Sequence, residues 1–133
     1  MIASLEGIVL HKTDRALIIS IQGIGYQVFA TTELLTETLV GQTCFVWTRQ
    51  VIREDTSDLY GFKGLEEKEL FDILINVSGI GPRSALAILS LASPAVLRQA
   101  IASGNTGYLT QVSGIGKRLA EKIVVELRDK MAE

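Results

Sequence analysis

One segment of the sequence occurs twice. Val77-Ser-Gly-Ile-Gly-Pro-Arg-Ser-Ala-Leu-Ala-Ile-Leu89 returns 35 residues later as Val112-Ser-Gly-Ile-Gly-Lys-Arg-Leu-Ala-Glu-Lys-Ile-Val124, with eight of 13 positions identical. In both copies, apolar residues at helical spacing flank Gly-Ile-Gly, so each reads as helix, tight turn, helix. A repeat this short is one supersecondary unit used twice, and the two copies can bury their apolar faces as a pseudo-symmetric pair.

The turn also has chemistry. Two glycines let the backbone bend sharply and leave no side chain in the way of a close ligand. Ile80 or Ile115 between them can point inward and pin the turn. The second glycine leads into a helix N-terminus, whose free N–H groups and dipole favour an anion. A cation follows: Arg83 in the first copy, Lys117 and Arg118 in the second. Backbone donors beside a point charge make a phosphate site without a base-reading side chain. The candidate DNA-contacting residues are Gly79, Ile80, Gly81, Arg83 and Ser84, with Gly114, Ile115, Gly116, Lys117 and Arg118. Valine at Gly81 or Gly116 is expected to damage both fold and binding, because its side chain would block the close backbone approach. The sequence contains its own control, because Gly23-Ile24-Gly25 is the same tripeptide between two strand patterns. It has no helix after it and no adjacent cation, so it reads as a hairpin turn. The duplicated motif is the helix-hairpin-helix, and the expected target is duplex DNA chosen by shape.

A net charge of −2 at first argues against that target, but the charges are segregated. Residues 73–120 contain Arg83, Arg98, Lys117 and Arg118 and no Asp or Glu. Such a stretch is a local positive field, and local fields steer anions. A single cysteine, Cys44, excludes an internal disulfide framework, and a single histidine, His11, leaves no multi-His metal site. No metal, cofactor or catalytic residue is expected. The amino terminus lacks the basic start of a secretory signal, and no apolar run is long enough to span a membrane. A cytoplasmic location and no membrane partner are expected.

The pattern changes near residue 63. Before it, Ala16–Ile21, residues 26–30, residues 44–51 and residues 59–62 alternate β-branched and aromatic residues between Gly-containing turns. About five short strands in this length suit a Greek-key barrel of the OB type, with a small SH3-like barrel as the competitor. Residues 31–39 are the one helical candidate there. After residue 63 the sequence predicts helices over 65–75, 82–91, 93–102 and 106–111, and from Lys117 onward. Pro82 suits a first helical turn, Ser93-Pro94 forms an N-cap and N1 pair, and Gly104 is a stop. The expected class is α+β: a barrel domain, residues 1–63, and a tandem helix-hairpin-helix domain, residues 64–133.

Taken together, the order of parts is specific. Met1-Ile-Ala-Ser-Leu-Glu-Gly, Gly25-Tyr-Gln-Val, Arg53-Glu-Asp and Leu59-Tyr-Gly-Phe62 precede the two hairpins. This resembles the RuvA family of bacterial Holliday-junction-recognition subunits over essentially the whole sequence. The resemblance implies an OB-fold first domain and a four-fold symmetric tetramer, with an octamer as the alternative. It implies a flat basic face that holds an open four-way junction, in DNA recombination, repair and the SOS response. It also implies the RuvB ATPase, which drives branch migration, and the RuvC resolvase as partners. The family's acidic pin matches Glu54 and Asp55, which by themselves read as a solvated hairpin tip. RuvA chains typically continue through a linker into a third domain that binds the motor. This sequence ends at Glu133, so the DNA-binding and tetramer-forming part is what the resemblance covers.

Other residues have plainer readings. Cys44 is expected as a small buried hydrophobe and His11 as solvated at a strand end. Phe45 and Trp47 could stack bases, as in single-strand-binding OB folds, or divide between core and subunit contact. A hairpin-bearing nuclease or glycosylase is the competing function. It would need clustered carboxylates or a base-flipping pocket. Glu54, Asp55 and Asp58 are the only such cluster, and no GxxxxGK[ST] phosphate loop occurs.

Overall fold

The computed structural model describes residues 1–132 and falls into two compact units, Met1–Lys68 and Glu69 onward. The first unit contains β1 (Ser4–Lys12), β2 (Ala16–Ile21), β3 (Ile24–Ala30), α1 (Thr32–Glu37), β4 (Thr43–Ile52) and β5 (Ser57–Phe62). The strands close into a barrel in the order β1-β2-β3-β5-β4. All neighbouring pairs are antiparallel except β3 with β5. That order is the OB arrangement.

The barrel closes because β1 serves two neighbours. Ser4–Ile8 pair with β4 and Ile8–Lys12 with β2. The register slips between Val9 and His11, so Leu10 is the extra residue of a β-bulge that bends the strand. Leu5 and Val9 point inward to meet Leu17, Ile19, Val28, Val46 and Leu59. Leu34 and Leu35 of α1 belong to the same core. The Thr31 hydroxyl starts that helix by accepting from the Leu34 N–H at 3.3 Å. His11 is the next-to-last residue of β1 and is exposed, as expected of a strand end.

Phe45 and Trp47 depart from the expected division between core and surface. Val46 and Thr48 are the buried residues of that stretch, so the period of two sends both rings outward. They meet edge to face, 5.2 Å apart. Cys44 is half-buried, with its inward side packed against the barrel core, and burial pushes its thiol pKa up.

The second unit holds most of α2 (Leu65–Leu74), then α3 (Pro82–Leu89), α4 (Pro94–Ala102), α5 (Thr106–Leu109) and α6 (Lys117–Met131). The helices end slightly earlier than the apolar pattern suggested, because it continues into the turns as buried Val77 and Val112. Leu70, Phe71 and Leu74 of α2 and Leu97 and Ile101 of α4 are buried, together with Ile123 and Leu127 of α6. The guanidinium of Arg128 donates to the Ala102 carbonyl at 3.3 Å, closing the C-terminus of α4. No single helix among the described residues is long and apolar enough to cross a membrane.

Candidate nucleic-acid interface

The eight identities of the repeat divide evenly. Val77 and Val112, Ile80 and Ile115, Ala85 and Ala120, and Ile88 and Ile123 are all buried. These four pairs are the shared core of the two hairpins. The remaining pairs are exposed except for half-buried Gly81: Ser78 and Ser113, Gly79 and Gly114, Gly81 and Gly116, Arg83 and Arg118. Packing explains the first four pairs and leaves the others to another cause.

Backbone conformation accounts for one of them. Gly79 has φ +95° and Gly114 φ +91°, where a residue with a Cβ is strained. The turns they open are the same in detail. The Ile80 N–H donates to the Val77 carbonyl and the Ile115 N–H to the Val112 carbonyl, both at 3.0 Å. In the control tripeptide the turn is made instead by Gln22 and Gly23, both at positive φ, and Ile24 is exposed at the start of β3.

Gly81 and Gly116 are different. Their φ,ψ values, −90°,175° and −84°,178°, are extended backbone that any residue adopts. At Gly116 an added Cβ would meet nothing within 4 Å. The fold therefore has no need of glycine at 116, which corrects the expectation that a side chain there would damage folding. What glycine leaves is open space in front of a helix start.

That helix start is unfilled from within. Thr31, Ser93 and Asn105 cap α1, α4 and α5 with side-chain oxygens. Helices α3 and α6 begin on Gly81 and Gly116 with no side-chain cap and no acidic residue in the first turn. Their first helical bonds are Ala85 N–H to Gly81 O and Ala120 N–H to Gly116 O, both 3.0 Å. The N–H groups ahead of those bonds have no partner in the helix: Gly81, Arg83 and Ser84 in α3, and residues 116–119 in α6. Pro82 removes one donor from the first set. Arg83, Lys117 and Arg118 are exposed beside these starts, and among the described residues none of them pairs with a carboxylate. Other cations are engaged elsewhere: Lys63 pairs with Glu37 at 2.9 Å, and Arg128 closes α4.

Glu54 and Asp55 form the exposed tip of the β4–β5 hairpin, closed by the Arg53 N–H donating to the Thr56 carbonyl at 2.8 Å. The fold brings them together with each other and not with a metal-holding group. No cluster of three or more His, Cys, Asp or Glu suited to a metal occurs among the described residues. Ser78 and Ser113 are absent from the contacts expected on sequence grounds. Both are identical in the repeat and exposed at the turns, and the identity itself was the available signal.

A closed OB barrel followed by two hairpins with open helix starts defines an OB/helix-hairpin-helix protein. Known proteins narrow the class. The family described as the RuvA N terminal domain matches residues 1–61, and the one described as the SAM-like helix-hairpin-helix tandem matches residues 71–129. The protein named Holliday junction branch migration complex subunit RuvA from Nocardia farcinica is 44% identical over 131 residues, 98% of this chain and 65% of that one. The protein of the same name from Rhodococcus opacus is 48% identical over 131 residues, 98% of this chain and 66% of that one. That from Corynebacterium glutamicum is 42% identical over 132 residues, 99% of this chain and 64% of that one. This chain belongs to the RuvA family, and it spans about 65% of the length of these relatives.

Proposed function

We propose that the chain is the DNA-binding part of a non-catalytic Holliday-junction subunit, which recognises four-way junctions by shape and holds them open. The observation that supports this most directly is the contrast in helix capping. Three helices are capped by their own side chains, while the two duplicated ones leave their donors and cations to a ligand. Gly79, Ile80, Gly81, Arg83, Ser84, Gly114, Ile115, Gly116, Lys117 and Arg118 form the DNA contacts on this reading, with Ser78 and Ser113 beside them.

The energetics favour assembly. A hydrogen bond to a charged group contributes about 1.5–3 kcal/mol and a helix dipole about 0.3–1 kcal/mol, so one hairpin is a weak grip. A tetramer matched to four equivalent arms multiplies such grips through effective concentration. In that assembly the barrel domain, residues 1–63, presents Glu54 and Asp55 to the junction centre, where carboxylates keep phosphates apart. Residues 64–133, of which the last lies outside the described residues, form the hairpin domain. The RuvB ATPase and the RuvC resolvase are the partners of the complete subunit in recombination and repair.

Gel shifts with a four-way junction, a linear duplex and a single strand test this reading, alongside light scattering on a sizing column. The expected order of affinity is junction, duplex, single strand, with a tetramer or octamer in solution. Preference for single strands would move the site to the outward-facing Phe45–Trp47 pair of the barrel. Strand cleavage or base removal would replace the binding subunit with an enzyme.

A further inference from the structure

The two hairpins differ in one contact. Leu119 is the third residue of α6, so its N–H is among the donors open at the second hairpin. Its side chain belongs to the other hairpin: Cδ1 stands 3.2 Å from where a Cβ on Gly79 would be. The reciprocal contact is missing. The repeat puts Ser84 where Leu119 stands, and nothing lies within 4 Å of a Cβ built on Gly114.

We infer that Leu119 is a positioning residue that couples the two phosphate sites. It contributes a backbone donor to one site and rests its side chain on the turn of the other. A phosphate drawn onto the start of α6 therefore acts on a residue already seated against Gly79, and the hairpins keep one separation. The coupling is one-sided, since the Gly114 turn has no such neighbour. This inference rests on the phosphate reading above.

The test uses the full chain, a four-way junction and fluorescence anisotropy over a range of salt. Leu119→Ala should lower junction affinity about tenfold, a small part of the gain that linking two sites brings. The slope of log K against log salt should flatten by about 0.9 for each phosphate no longer neutralised. Leu119→Met, similar in volume and reach, should restore both. Leu119 is half-buried, so Leu119→Val, which shortens the reach and keeps most packing, serves if the alanine variant does not fold. A purely structural role would lower the melting temperature and leave the salt slope of the folded protein unmoved, which overturns the inference. A double-mutant cycle with Gly79→Ala adds a second readout. Positive-φ strain is common to both backgrounds and cancels, so the remaining coupling reports the Leu119 contact. Zero coupling also overturns it. Lys117→Ala with Arg118→Ala is the control. If the control weakens binding and Leu119→Ala does not, the coupling alone falls; if the control binds as wild type, the phosphate reading falls and the coupling with it.

Discussion

Gly116→Ala separates folding from binding at a single atom. Its backbone, φ −84° and ψ 178°, accepts alanine, and the new methyl would meet nothing of the protein within 4 Å. Two small effects then oppose each other. Alanine is a poorer N-cap than glycine, by up to about 1 kcal/mol. Replacing glycine at a compatible backbone position stabilises by about 0.4–1 kcal/mol through the unfolded chain. They offset, so stability should change by less than about 0.5 kcal/mol, or roughly 2–4 °C in melting temperature. On the ligand side nothing offsets the methyl. It occupies the space through which a phosphate would approach the N–H groups of residues 116–119. Removing one charge-assisted hydrogen bond costs about 1.5–3 kcal/mol, a factor of roughly 10 to 150 in affinity. Circular dichroism melting and junction anisotropy, run on the same preparation, read the two sides. A variant that melts and binds like wild type would refute the claim that open space at 116 serves a ligand. Gly114→Ala is the counter-case: at φ +91° the side chain is strained, and the cost, about 1–2 kcal/mol, should appear in the melt itself.

Lys117→Ala with Arg118→Ala should weaken junction binding and flatten the salt slope by about 0.9 for each phosphate that goes unneutralised, with melting unchanged; Arg83→Ala should do so more mildly. Glu54→Gln with Asp55→Asn should leave junction affinity equal or higher and reduce discrimination against linear duplex; reduced junction affinity at two salt concentrations would mean that these residues are contacts or fold elements. Gly7→Ala should destabilise the barrel by about 1–3 kcal/mol in a urea melt, because its Cβ would fall on the Ser20 carbonyl oxygen. Burial, and after it the charge of Glu33, raises the Glu67 pKa, so folding binds that proton more tightly and its ionisation opposes folding at neutral pH. Glu67→Gln should therefore raise the melting temperature at pH 7, with the gain vanishing as pH falls through the carboxylate range; an equal gain at pH 3 would exclude the electrostatic cause.

The helical half was legible in the sequence because one signal was written twice. Ala85 and Ile88 and their partners in the second copy follow helical spacing, Val77 and Ile80 and theirs recur at the turns, and Gly79 and Gly114 mark where those turns bend. Ser93-Pro94 and Gly104 also mean what local chemistry says they mean. In the barrel, β1 was the hardest element to read. Leu10 is displaced by the bulge, and Ile8 and Leu10 are apolar yet exposed, so the period of two that marks a strand is broken where the strand bends. Phe45 and Trp47 misled for a related reason: large aromatic residues suggest a core, but only the inward set fits inside a five-stranded barrel, and Val46 holds that place. The difference between Gly114 and Gly116 was beyond a pattern. Both are glycines in the same motif, and only dihedral angles and empty space separate a backbone requirement from a ligand requirement.

On the proposed function, charge and valence together explain how an acidic chain would suit a polyanion. Exposed charges further apart than about 8–10 Å hardly sense each other at physiological salt, so net charge decides little and the charges sharing a face decide much. The stretch from 73 to 120 presents cations with no carboxylate among them, while the barrel's acids gather elsewhere in the sequence, at the Glu54-Asp55 tip among other places. On the proposed reading, each hairpin binds too weakly to hold DNA alone, and affinity arises from the number of grips brought onto one junction. Assembly and binding are then linked: whatever joins the subunits raises junction affinity, and by reciprocity the junction stabilises the joined subunits by the same free energy. Shape selectivity follows without a base contact. On the same proposed reading, a linear duplex would engage only the hairpins along one arm and a four-way junction every subunit, so the ratio would grow with each grip that the geometry adds.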